Sequence, residues 1–241
     1  MMVMGMRGMT DAMNRIHMGL WAISSAPLMV GSDLTRISPQ ALSLLENKEA
    51  LAIHDDSYGL QPVKVAQPAP GVQAWVKPLA APGKRALALL NSTDQSVQMK
   101  IDWTKLGLDG APRTLHDAWN GHDLSAPDTT FSIPARDLLL LIVNGQDKKP
   151  DEYLAQGSDI TRIQATHAPT FARLHYANTS GHVAIVRVKS TSGLSTGLAL
   201  PPTSGSNDGS VELILPKGTA DLSFESQSQP VAIRKLSVYA W

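Results

Sequence analysis

The hydrophobic period of this chain changes once, near residue 63, and that change constrains the fold more than any other feature of the sequence. Upstream, apolar residues recur at helical spacing or stand in short unbroken runs; downstream they alternate with polar ones. A period of about 3.6 buries one stripe of a helix, whereas a period of two buries one face of a strand. The chain is therefore expected to begin in an α/β arrangement and to continue as antiparallel β structure.

In the upstream part, Thr10 is placed to cap a helix, and Asp11 lies in its first turn, where the helix dipole favours an anion. Met13, Ile16, Leu20 and Ile23 follow at helical spacing, and Pro27 ends the pattern. Leu28-Met29-Val30 is a wholly apolar run, the pattern of a strand covered on both faces. Ser38-Pro39 opens a second helix, Ser as cap and Pro at its first position, which runs through Leu42 and Leu45 toward Ile53. Helix, buried strand and helix in this order is the rhythm of an α/β barrel, and residues 1–60 amount to roughly a quarter of one. With most of a barrel's strands absent from the sequence, residues 1–55 are expected to be poorly anchored or aggregation-prone.

Past residue 60, Val72, Ala74 and Val76 alternate, as do Val97, Met99, Ile101 and Trp103. Ala86 to Leu90 and Leu138 to Val143 read as strands, and Asn120-Gly121 is a hairpin turn signal. Residues 61–145 are expected to form an antiparallel β-sandwich. A charged stretch containing Pro150 makes 146–159 the expected linker. Beyond it, Phe171 to Tyr176, Val183 to Val188, Val211 to Leu215, Asp221 to Phe224 and Val231 to Tyr239 predict a second β unit over residues 160–241. No tandem repeat is present.

Composition narrows the partners. Lysine plus arginine number 21 and aspartate plus glutamate 21, so there is no basic excess to hold nucleic acid or an acidic membrane surface. The absence of cysteine excludes disulfides and thiolate metal sites and leaves the compartment open. Eight of the nine methionines fall in the first 30 residues, but the charges of Arg7, Asp11 and Arg15 and the glycines break up the run. It fits neither a signal peptide nor the roughly 20 apolar residues of a membrane span.

Candidate chemistry is sparse. Asp33 follows the apolar run Leu28 to Val30, where barrel enzymes keep their working residues, yet a carboxylate there also caps a turn, and the structural role is favoured. His54-Asp55-Asp56, and His116-Asp117 with His122-Asp123, have the residue types of a metal or general-base cluster without a specific spacing. Turn and boundary chemistry accounts for both, so neither metal nor cofactor is expected. No phosphate-cradling loop and no nucleophile elbow is found.

The ordered words of residues 1–145 resemble the C-terminal portion of family 27 glycoside hydrolases, the α-galactosidases and α-N-acetylgalactosaminidases. They are Gly8-Met9-Thr10, Trp21-Ala22-Ile23, Ala26 through Leu34, Ile37 through Ala41, Trp75-Val76-Lys77-Pro78-Leu79, Leu87 through Asn91 and Trp103 through Leu108. The resemblance implies a partial TIM barrel followed by an antiparallel β-sandwich, and retaining hydrolysis of terminal α-galactosides by two aspartates. Those aspartates belong to words upstream of Met1, so the chain is expected to be a truncated enzyme with no catalytic residue of its own. The family's Trp-Asn-Asp-Pro-Asp-Met word ends on a residue that Met1 resembles, which makes Met1 a candidate for the galactose pocket. For the full-length protein the resemblance implies secretion or a periplasmic location.

Residues 160–241 are similar to the β-jelly-roll carbohydrate-binding modules of the family 6 and 35 type. Arg173 through Asn178, Val211-Glu212-Leu213, Lys217 through Phe224 and Ile233 through Val238 carry this likeness. The Trp common before the Val-x-Leu strand is missing near Asp208-Gly209-Ser210. A sugar platform then falls to Tyr176, Tyr239 or Trp241, with carbohydrate as the partner. The competing reading is a non-catalytic carbohydrate-binding β protein.

Overall fold

The computed structural model describes residues 1–124, 130–165, 170–204 and 208–239. They form two compact units, Met1–Asp147 and Lys148–Trp241.

The first unit opens with a parallel β-bridge. Met2 donates its N–H to Met29 O at 2.8 Å, Gly31 donates to Met2 O at 2.8 Å, and Met2 pairs with Val30. The chain between them contains α1, Asp11–Ile23, so strand, helix and parallel strand form one βαβ step of a barrel. Thr10 caps α1 by accepting from Met13 N. α2, Pro39–Leu45, and α3, Lys48–His54, follow. The single helix expected from Pro39 toward Ile53 is thus two, because Asn47 starts a new one: its Oδ1 accepts from Ala50 N at 2.8 Å, while its Nδ2 donates to Ala118 O at 2.8 Å.

The expected apolar stripe of α1 coincides only in part with its buried face. Its buried residues are Asn14, Met18, Gly19, Ala22 and Ile23. Ile23 of the expected stripe is among them, Ile16 and Leu20 pack half-buried against the same core, and Met13, Ile16 and Leu20 also line a groove of about 270 Å³ with Met9, His17 and Trp21. Leu28 is half-buried, Met29 is 61% exposed and Val30 38%, so this run is not the doubly covered strand predicted. A strand covered on both faces needs elements packed above and below it, and Val30 pairs with Met2 alone among the described residues.

Eight strands follow: β1 Val63–Ala69, β2 Val72–Pro78, β3 Lys84–Asn91, β4 Val97–Lys100, β5 Thr114–Asp117, β6 His122–Leu124, β7 Thr130–Ile133 and β8 Asp137–Asn144. Six build one antiparallel sheet in the order β1-β2-β3-β8-β5-β6, while β4 pairs with β7. Ile101 and Trp103, expected to extend β4, lie outside it, and Trp103–Leu106 is a 3-10 turn capped by Asp102. Along β3, Ala86 and Ala88 face the helices and share a core with Met2, Met4, Met18, Ala22, Ile23, Ala50 and Ile53. Leu87 and Leu89 alternate to the other face, where β7 lies against β3 and β8. Residues 1–55 therefore pack on the sheet, where poor anchoring was expected, because β3 and β8 supply apolar surface that covers the helices.

Polar ties reinforce that contact. Arg15 on α1 donates from Nε and Nη2 to both oxygens of Asp137, at 2.9 and 2.6 Å. Lys77 is fully buried; its Nζ donates to Ile53 O at the end of α3 and to Ser25 Oγ, each at 2.6 Å. Burial pulls its pKa down, and the nearby carboxylates of Asp56 and Asp55 offset part of that. His116 on β5 bridges Glu49 of α3, Nε2 to Oε1 at 2.8 Å, and Asp123 of β6, Nδ1 to Oδ1 at 2.7 Å. A neutral imidazole has one N–H, so two carboxylate partners require the imidazolium.

The second unit contains β9 Asp151–Leu154, β10 Asp159–Ile160, β11 Thr170–Ala177, β12 Ala184–Ser190, β13 Ser195–Leu200, β14 Gly209–Leu215, β15 Leu222–Ser226 and β16 Ala232–Tyr239. Two antiparallel sheets, β10-β15-β12-β13 and β14-β11-β16-β9, enclose one core of Ala172, Leu174, Tyr176, Val186, Val188, Leu222, Phe224, Leu236 and Val238. This is the expected second β-sandwich. The segment 146–159, expected as a linker, holds β9, which pairs with β16 from Asp151↔Val238 to Leu154↔Lys235. Charged side chains disguised it, as they do at sheet edges.

Two outcomes are expected. A Cβ built on Gly19 comes 2.6 Å from Leu138 Cδ2 and 3.1 Å from Trp119. Gly19→Val should therefore destabilise the first unit by about 1–3 kcal/mol through overpacking, against any gain in helix propensity; denaturant unfolding measures it, and a neutral or stabilising result would refute the close approach. The hydrogen bonds that His116 donates to Asp123 and then to Glu49 raise its pKa. A raised folded-state pKa gives stability present in full below the unfolded value of about 6.5 and lost as pH rises through the folded value. The unfolding free energy of the native chain minus that of His116→Gln should shrink as pH climbs above about 6.5; a difference independent of pH contradicts the imidazolium bridge.

Candidate functional site

Where strands of a barrel end, this unit presents Met1, Gly31, Ser32 and Asp33. The Met1 side chain lies beside Gly31, close enough that a Cβ there would be 3.2 Å from Met1 Cε, and Met1 is 77% exposed. Ser32 Oγ accepts from Met4 N at 2.7 Å, which fixes the second strand end against the first. Asp33 accepts from the Thr35 hydroxyl at 2.6 Å and from Thr35 N–H at 3.0 Å, and these bonds hold its carboxyl below the ordinary range. Its remaining contact is an exposed ion pair with Arg36 at 3.5 Å. Asp33 therefore closes a turn.

The histidine-aspartate words separate into structural ties. His54 contacts Asp55 through Nδ1 at 2.6 Å and Ala26 O through Nε2 at 2.9 Å. Asp56 accepts from Ala80 N with both oxygens, at 3.1 and 2.9 Å, and so clips the end of the helical part to the segment just past β2. Asp117 accepts from Trp119 N and Asn120 N in the hairpin turn, while Trp119 Nε1 donates to Leu138 O. Among the described residues no group of three or more His, Asp or Glu side chains is arranged to hold a metal ion. The link between His116 and Glu49 escaped the sequence reading because the two are 67 residues apart.

In the second unit, Tyr176 and Tyr239 lie on opposite faces of their sheet and do not share one platform. Tyr176 is 2% exposed and sits in the core, its hydroxyl donating to Pro201 O at 3.1 Å. A strand residue alternates by register, and Tyr176 shares the inward face with Ala172 and Leu174. Tyr239 lies on the opposite face, 5.0 Å from the Phe171 ring, with the Arg173 guanidinium 6.0 Å from its centroid. Arg173 is paired in turn with Glu212 at 3.0 Å. Trp241 lies outside the described residues.

A groove of about 360 Å³ that the sequence reading missed lies at one end of the β10-β15-β12 sheet. It is lined by Asp159, Thr161, Lys189, Ser190, Thr191, Asp221, Leu222 and Ser223. Its signal in the sequence is a polar residue at alternate positions in three separate runs, which looks like any solvated sheet face until the strands are set side by side.

Comparison with known proteins follows this division. Residues 1–56 match the family described as "Alpha galactosidase A", and residues 69–143 match "Alpha galactosidase C-terminal beta sandwich domain". An α-galactosidase of Oryza sativa subsp. japonica is 34% identical over 120 residues, covering 49% of this chain and 28% of the relative. The crystal structure of α-galactosidase I from Mortierella vinacea shares the fold with a TM-score of 0.53 at 24% identity, over 59% of this chain and 38% of that one. A family 27 β-L-arabinopyranosidase from Geobacillus stearothermophilus superposes with a TM-score of 0.51 at 26% identity, over 57% of this chain and 31% of that one. The chain thus spans about a third of the length of the relatives it matches. With a βαβ step and its closing helices laid on an antiparallel β domain, and with both segments matched in order, residues 1–143 belong to the α-galactosidase family, glycoside hydrolase family 27, as its C-terminal portion.

Proposed function

We propose that this chain is the C-terminal part of a retaining glycosidase acting on terminal α-galactosides, and that it lacks the aspartate pair that performs the chemistry. In this reading residues 1–60 complete the catalytic barrel, residues 61–145 brace it, and the second unit holds carbohydrate. The observation that carries it is the parallel Met2–Val30 bridge spanned by α1, a barrel step placed directly before the matched β domain.

Double displacement needs two carboxyl groups about 5 Å apart across the scissile bond, one as nucleophile and one as acid and base. The carboxylates of residues 1–60 are committed differently. Asp11 lies in the first turn of α1, Asp33 closes a turn, and Glu46 ends α2. Glu49 meets His116, Asp55 meets His54, and Asp56 meets Ala80 N. None has another carboxylate as its partner. What these residues offer the reaction is position: the Lys77, Arg15 and Asp56 ties hold the last barrel helices and strand ends on a rigid sheet.

The purified 241-residue chain should release no chromophore from an aryl α-galactoside above the uncatalysed rate. Turnover that disappears when Asp33 or another carboxylate of residues 1–60 is replaced by its amide would overturn the proposal.

A further inference from the structure

We infer that the groove at the end of the β10-β15-β12 sheet is a binding site for the hydroxyl groups of a single pyranose ring, an inference that rests on the carbohydrate-binding reading of the second unit. Pairing places Asp159 opposite Ser223, and Ser223 opposite Lys189, so these three side chains form a row across three strands. Ile160, Leu222 and Val188 point into the core, and the row therefore faces outward. Thr161, Asp221 and Thr191 follow at the ends of the same three strands and close the groove. Asp221 is half-buried and receives one bond, from Arg162 N to its Oδ1 at 3.2 Å.

The side chains of Asp159, Thr161, Thr191 and Ser223 have no hydrogen-bond partner among the described residues. Lys189 is held by Glu225 at 2.8 Å and keeps further N–H groups for a ligand. Carboxylates accept, the ammonium donates, and hydroxyls do both. A sugar's vicinal hydroxyls, each a donor and an acceptor, require such a mixed set. A divalent cation is disfavoured, since the groove offers two carboxylates and no third acidic or imidazole ligand. Without an aromatic face to cover the ring, the affinity should be in the millimolar range.

The test is amide chemical-shift mapping of the whole chain, titrated with methyl α-galactoside and, separately, with methyl α-glucoside and calcium chloride. The expected result is saturable shifts with a sugar confined to the segments 159–161, 189–191 and 221–223. Asp221→Asn, which keeps an acceptor for Arg162 N, and Thr191→Ala, on an exposed turn, should each weaken binding by roughly fivefold, the effect of losing one hydrogen bond, without moving amides elsewhere. Sugar-induced shifts near Tyr239 with none in the groove would overturn the groove and leave carbohydrate binding standing. No shift with either sugar at tens of millimolar overturns both, and shifts produced by calcium alone overturn the choice of ligand.

Discussion

The structure of the first unit depends on the close approach of α1 to the sheet. Gly19 meets Leu138 and Trp119 from the helix side, and Ala86 and Ala88 keep β3 low beneath it. Small residues at both surfaces bring the backbones together, and the methionines Met2, Met4 and Met18, flexible and unbranched, fill the irregular space that remains. Because β3 and β8 are then covered on both faces, their sequences Lys84–Asn91 and Asp137–Asn144 run as nearly continuous apolar stretches rather than alternating ones. One contact explains both the helix face and the strand composition.

Once that contact is made, buried charges select the arrangement. Arg85 is 5% exposed and is neutralised by Asp147 at 2.7 Å, and it also donates to Leu106 O, Gly107 O and Lys84 O. Lys77, Arg85 and His116 each join segments remote in sequence, and each carries a desolvation cost that only its own partners offset. A displaced α3 would take Ile53 O from Lys77 and Glu49 from His116, which makes alternative packings of that helix expensive.

The two units share a local device. Asn91, at the end of β3, accepts from Thr93 N and its hydroxyl and donates from Nδ2 to Gln95 O. Asn178, just past β11, does the same with Ser180 and His182. Both are fully buried. Each carboxamide completes the backbone hydrogen bonds of a turn that leaves a central strand, so these Asn-x-Ser/Thr words serve folding and present no accessible amide. The outward faces are left to polar chemistry, including the groove of Asp159, Ser223 and Lys189.

Local physics made much of this legible from the chain itself. The Thr10 and Ser38 caps, the Asn120-Gly121 turn, the central strands of both β units and the order of the family words all depend on neighbours within a few residues. Tertiary structure decided what depends on distant partners. It buried the Met18 and Ala22 face of α1 more deeply than the Met13 and Ile16 face, because the alanine-rich side of β3 accepts a close helix. It turned Tyr176 inward by register, made β9 a strand through pairing with β16, and paired His116 with Glu49. Periodicity shows that a face is apolar or polar, but which face is covered, and by what, is set only when strands and helices remote in sequence meet.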